Sequence, residues 1–214
     1  MIILELFSGT GSFSKVCKER GHKCFTLDFN KKFNPDLCIN ILDFNILMLP
    51  KEFRNPDVVW ASPPCTEYSH AKRTGIRNIN EANKVVEFTK EIIKDLHPKY
   101  WIIENPQTGL LKKQQFMFGL EFCDASYCKY GFNYRKQTRF WNNIGLKLKV
   151  CNKDCKFMNG KKHIGSAGNG RKKYTDKNYK KEEKYQVPKE LCLDIIKQIE
   201  VPKKAEENKK EMGE

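Results

Sequence analysis

A cysteine on a proline turn is the residue of this sequence best placed to do chemistry. Cys65 follows Pro63 and Pro64, which close the apolar run Val58-Val59-Trp60-Ala61. A short apolar run ended by prolines reads as a buried strand that stops abruptly. The thiol then stands just past a strand end, where open α/β sheets bind ligands, and can act there as a nucleophile. Taken alone it could equally be an inert packed thiol. Other strand ends carry chemistry of their own. Ile2-Ile3-Leu4-Glu5-Leu6 runs into Phe7-Ser8-Gly9-Thr10-Gly11, a turn whose glycines let the backbone approach a ligand closely. Lys23-Cys24-Phe25-Thr26-Leu27 ends at Asp28, about 20 residues after the glycines, where a carboxylate can hold the hydroxyl pair of a ribose. Asp43 closes the apolar stretch 37–42 and can accept from an adenine amino group. Each aspartate alone could be a turn former, but these groups at successive strand ends favour an adenosine-containing cofactor.

The elements that must position these groups follow a strand, turn, helix order. Phe13, Val16, Cys17 and Arg20 fall at helical spacing, and Gly21 is placed to stop that helix. Ala82, Val85, Val86, Thr89, Ile92, Ile93 and Leu96 form a core-facing stripe, with Asn80 as the expected cap and Pro98 beyond the end. Tyr100-Trp101-Ile102-Ile103 is the next buried strand and ends at Glu104-Asn105-Pro106, and Tyr127-Cys128-Lys129-Tyr130 is expected to complete the sheet. Between Cys65 and the long helix, His70, Lys72, Arg73 and Arg77 lie in a loop that could reach a phosphate backbone or be an ordinary solvated loop.

With 214 residues, 39% of them hydrophobic, the chain can bury one core of ordinary size and carry an appendage. No apolar run approaches the roughly 20 residues of a membrane span, and the start lacks the basic stretch of a signal peptide. The expectation is an intracellular protein with no membrane contact and no evident protein partner. Nine cysteines, an odd number without paired spacing, argue for reduced thiols with a metal or catalytic use for some. The net charge of +14 points to a nucleic-acid partner. Thirteen lysines and arginines against four acids lie in residues 147–184, so most of the excess charge is there. Such a segment either binds phosphates or is a disordered basic loop. Cys151, Cys155 and His163 within it are spaced like part of a zinc site that would pin the region. Pro188 is placed to start a helix through Leu191, Cys192, Ile195, Ile196 and Ile199, and residues 202–214 read as a disordered tail.

In order, Phe7-Ser8-Gly9-Thr10-Gly11, Pro63-Pro64-Cys65 and Glu104-Asn105-Pro106 resemble the motifs of the DNA cytosine-5 methyltransferases, over roughly residues 1–142. The stretches 60–69 and 134–141 resemble the short cytosine methylase-like proteins of phages and viruses. The resemblance implies an α/β fold, a Rossmann-like S-adenosylmethionine-dependent methyltransferase sheet with a small basic appendage. It divides the chain into a catalytic core (1–142), a basic nucleic-acid-binding region (143–184), a helix returning to the core (185–201) and the tail. It also implies methyl transfer to carbon 5 of a cytosine flipped out of double-stranded DNA. S-adenosylmethionine would be held by Phe7, Ser8, Gly9, Thr10 and Gly11, with Asp28 at the ribose and Asp43 at the adenine. Cys65 would add to carbon 6, Glu104 would serve ring nitrogen 3 and the exocyclic amine, and Arg139 would contact the flipped base.

Several positions depart from the family pattern. Ser12 stands where many members have a second consecutive glycine, and Asp28 stands where a glutamate is usual. The family's Gln-x-Arg-x-Arg segment fits Gln137-Thr138-Arg139-Phe140-Trp141 in a register that replaces its second arginine by Trp141. In the preferred register Arg139 is the second arginine and Gln137 replaces the first. Two other readings stay open: the same chemistry on cytosine in RNA, and a non-catalytic nucleic-acid-binding protein.

Overall fold

The computed structural model describes residues 1–70, 72, 74–165 and 185–201. Arg73, the stretch 166–184 of the basic region and the 202–214 tail lie outside the described residues. Among the described residues, seven strands form one sheet: β1 Ile2–Leu6, β2 Lys23–Asp28, β3 Leu37–Cys38, β4 Val58–Ala61, β5 Tyr100–Pro106, β6 Phe122–Ser126 and β7 Gln137–Asn142. Their spatial order is β3-β2-β1-β4-β5-β7-β6, and β7 alone runs antiparallel to its neighbours. The order reverses between β1 and β4, and in such sheets a ligand crevice opens at this reversal, beyond the carboxyl ends of the strands. The glycine turn leaves β1 and the proline turn leaves β4, so the topology alone sets them side by side.

Among the described residues, three helices cover the faces: α1 Ser12–Glu19, α2 Ile79–Leu96 and α3 Lys189–Glu200. α1 and α3 lie on one face, over Ile3, Trp60, Ile102 and Phe140. α2 lies on the other, over Leu4, Val59, Ile103 and Trp141. Trp60 stacks on Phe13 of α1 with ring centroids 4.4 Å apart, which locks β4 to the helix that follows the glycine turn. Because side chains alternate along a strand, Glu104 shares the face of Ile102, whereas Asn105 shares the face of Ile103. α3 closes onto α1: Arg20 and His22 both bond Glu200, the latter at 2.8 Å. Ser12, in place of the glycine, accepts a hydrogen bond from Val187 N at 3.2 Å and so anchors the turn before α3.

Three expectations are corrected. The strand expected through 37–42 ends at Cys38, because Asn40 bonds Leu42 N with its own side chain and starts a 3₁₀ turn. The cap of α2 is Asn78, which accepts from Glu81 N, and Asn80 lies within the helix. Tyr127–Tyr130 is a 3₁₀ turn stopped by Gly131 at φ 95°, not a strand. The strand there is β6, whose apolar pattern is broken by Asp124.

Gly11 offers α1 no side-chain cap. The buried carboxylate of Glu5 does that work from beneath, accepting from Ser14 N at 3.0 Å. Burial nevertheless outweighs the hydrogen bonds and raises its pKa from 4.5 to about 7. A carboxyl raised on folding contributes stability that is complete below the unfolded value and lost as pH climbs through the folded one. Glu5→Gln keeps an acceptor and removes the titration. The variant should gain on the natural chain from about pH 5 to about pH 8, by on the order of 3 kcal/mol in denaturant unfolding. A difference that stays flat with pH would show that Glu5 does not carry this loss.

Candidate active site

Cys65 is held in place by two neighbouring strands. Ser62 N donates to Leu6 O at 3.2 Å, tying the proline turn to the end of β1. The buried Asn105 donates its amide Nδ2 to Pro63 O at 2.9 Å, tying the same turn to the end of β5. Glu104, next to Asn105, is only 7% exposed and accepts from the Tyr127 hydroxyl at 3.3 Å. Burial, then the Glu104 charge, push the Tyr127 hydroxyl well above its ordinary pKa, so it stays a donor. The ammonium of Lys136, 4.8 Å from the centroid of the Tyr127 ring, completes the group.

The half-buried thiol feels all three influences. Burial raises the Cys65 pKa most, the Lys136 charge opposes that, and the Glu104 charge adds to it, leaving the thiol above its ordinary value. The resting group is therefore a thiol poised beside one cation and one carboxyl. Deprotonation becomes easier as soon as the carboxyl is neutralised or engaged.

Arg139 is not part of this group. It pairs with Asn105 across the strands and so lies on the α2 face, opposite Glu104. Its guanidinium makes two bonds to Asp124, at 2.8 and 3.0 Å, and stacks 3.5 Å from the centroid of Phe122. The arginine fixes the sheet edge. The cation on the Cys65 side is Lys136, which shares the parity of Thr138 and Phe140. Sequence reasoning misses it, because only the register of β7 reveals which face each residue takes. Lys72 and Arg77, in the loop read as either reaching a phosphate backbone or being an ordinary solvated one, hold that loop together. Lys72 Nζ bonds Glu67 at 2.7 Å, and Arg77 bonds the carbonyls of Glu67 and Lys72.

Across the crevice, Phe7, Gly9 and Gly11 all have left-handed backbones, at φ 56, 47 and 65°. A Cβ on Gly11 would come within 3.1 Å of Ser14 Oγ, so the close turn into α1 needs glycine there. Ser8 N donates to Leu27 O at 3.0 Å, and Asp28 accepts from Gly9 N at 2.8 Å and Asn30 N at 2.7 Å. Asp28 thus buttresses the glycine turn and keeps lone pairs for hydroxyl donors. Asp43 is exposed at the end of the 3₁₀ turn after β3. Bare backbone, a buried carboxylate and an exposed one suit the tail, ribose and amino group of an adenosine-containing ligand. Cys151, Cys155 and His163 come together elsewhere, with Cys128, the chain neighbour of Tyr127, as a fourth member.

The C-5 cytosine-specific DNA methylase pattern matches residues 1–118. A Frog virus 3 (isolate Goorha) protein named "Probable DNA (cytosine-5)-methyltransferase" is 33% identical over 224 residues, covering 92% of this chain and 99% of that one. Among solved structures, a prophage-encoded E. coli protein assigned as a DNA modification methyltransferase aligns with TM-score 0.51 at 17% identity, over 78% of this chain and 53% of its own. The Entamoeba histolytica methyltransferase EhMeth aligns with TM-score 0.52 at 18% identity, over 70% of this chain and 56% of its own. The fold is therefore the Rossmann-like one of methyltransferases, and the chain spans about half the length of these two structures.

The opposed charges beside Cys65 give a paired test. Lys136→Met should move the pH midpoint of Cys65 alkylation upward, and Glu104→Gln should move it downward, read by mass spectrometry of the Cys65 peptide. Midpoints unmoved in both variants would separate these residues from the thiol.

Proposed function

The chain belongs to the C-5 cytosine-specific DNA methylases, and on that premise we propose that it methylates carbon 5 of cytosine in double-stranded DNA through a covalent bond from Cys65. The observation that carries this reading is that the turn bearing Cys65 is tied by Asn105 to the end of β5, beside Glu104, where the thiol feels the opposed charges of Glu104 and Lys136.

Carbon 5 of cytosine is a weak nucleophile. Once the Cys65 thiol has given its proton to solvent, addition of the thiolate to carbon 6 makes carbon 5 enamine-like and shifts negative charge toward ring nitrogen 3. Glu104 meets that nitrogen with a proton or hydrogen bond, and its second oxygen can accept from the exocyclic amine. Engaged in this way, Glu104 no longer raises the thiol, and Lys136 favours the thiolate. Tyr127 holds the Glu104 carboxyl in position. S-adenosylmethionine, when bound, supplies an electrophilic sulfonium methyl; Phe7, Ser8, Gly9, Thr10 and Gly11 would cradle it, with Asp28 at the ribose and Asp43 at the adenine. Loss of the carbon 5 proton and expulsion of Cys65 then restore the aromatic ring. A stacked cytosine cannot present carbon 6 to a half-buried thiol just past a strand end, so the base must leave the duplex.

The test is transfer of labelled methyl from S-adenosylmethionine to matched DNA and RNA. Label should enter duplex DNA, with Cys65→Ser lowering the rate at least about a thousandfold. Glu104→Gln should lower it by roughly a hundredfold or more. Label entering only RNA would overturn the DNA assignment, and full activity in Cys65→Ser would overturn the mechanism.

A further inference from the structure

Cys128, Cys151, Cys155 and His163 bring one ligand atom each to within 4.8 Å of one another. Cys151 Sγ lies 3.5 Å from His163 Nε2. In a tetrahedral zinc site, with sulfur at about 2.3 Å and nitrogen at about 2.0 Å from the metal, that edge would be about 3.5 Å. The backbone N–H groups of Lys153 and Asp154 turn toward the Cys151 sulfur, an arrangement suited to a thiolate that carries charge. To form this turn, Lys153 adopts the left-handed backbone at φ 67°. All nine cysteines are free of disulfides. Two buried thiols and a half-buried one could pack simply as apolar groups. A half-buried imidazole among them and amides aimed at the sulfur do not serve packing.

We propose that Cys128, Cys151, Cys155 and His163 bind one zinc ion in a closed structural site. Thiolates with an imidazole are the donor set zinc selects, and four protein ligands leave no position for substrate. Binding would release the thiol protons and join segments far apart in sequence. One ligand, Cys128, directly follows Tyr127, the residue that touches Glu104. His163 is presented by a short hairpin, β8 Met158–Asn159 and β9 Lys162–His163. Two residues later Gly165 bridges to Tyr134, and its N–H donates to Asn133 O at 3.0 Å. A Cβ on Gly165 would stand 2.6 Å from Asn133 Oδ1, so this contact also needs glycine. Tyr134 in turn lies two residues before Lys136. The ion would therefore clamp a lysine-rich arm to the two stretches that carry Tyr127 and Lys136. The metal site itself does not depend on the methyl-transfer reading.

The 214-residue chain, purified from zinc-supplemented cells, should contain about one zinc per chain. After exchange to cobalt it should show tetrahedral cobalt bands with thiolate charge transfer. His163→Cys should keep the metal and alter the cobalt spectrum, whereas Cys128→Ser and His163→Ala should lose most of it. Natural protein that holds no zinc and gives no thiolate–cobalt band would overturn the proposal. Full metal content in Cys128→Ser would overturn the ligand set. Both readouts are made without DNA or activity, so they fail separately from the proposed reaction.

Discussion

One buried amide holds the candidate site together. Asn105 donates across from β5 to Pro63 O, and so sets the distance between the turn that carries Cys65 and the strand that carries Glu104. The bond is worth more than its net strength of about 1 kcal/mol, because losing it would leave a buried carbonyl and a buried amide without partners. Asn105 Oδ1 has no partner among the described residues, which leaves the bond to Pro63 as the interaction that orients this side chain. The rest of the fold serves that junction. The reversal of strand order supplies the crevice, Trp60 on Phe13 fixes β4, and Ser12 with Glu200 brings α3 back over the glycine turn.

The electrostatics follow from strand parity. Glu104 and Lys136 both reach the thiol and act on it with opposite signs because their charges are opposite. Arg139, a stronger hydrogen-bonding cation, is directed to Asp124 on the other face. A one-residue change in the register of β7 would exchange these roles.

This also explains what could be read in the sequence. The glycine turn, Cys65, Glu104 and the long helix were legible because prolines, glycines and the 3.6-residue period mark ends and faces locally. The pairing of Arg139 with Asp124 was not, since Asp124 lies in β6, a strand whose alternation that same aspartate breaks. Cys128 was equally hidden as a metal ligand: β7 separates it from Cys151, and no local spacing links them. Asn78 and Asn80 are both sound caps by type, and the structure chooses the one whose side chain reaches Glu81 N.

The most direct measurement is mechanism-based trapping. Duplex DNA carrying 5-fluorocytosine cannot lose its carbon 5 substituent as a proton, so an enzyme that uses the addition chemistry should stall in its covalent complex. Incubated with S-adenosylmethionine, the protein should form a denaturation-resistant conjugate whose cross-link maps to the Cys65 peptide. A chain that binds the same DNA but forms no conjugate, or a cross-link at another cysteine, would contradict the central claim.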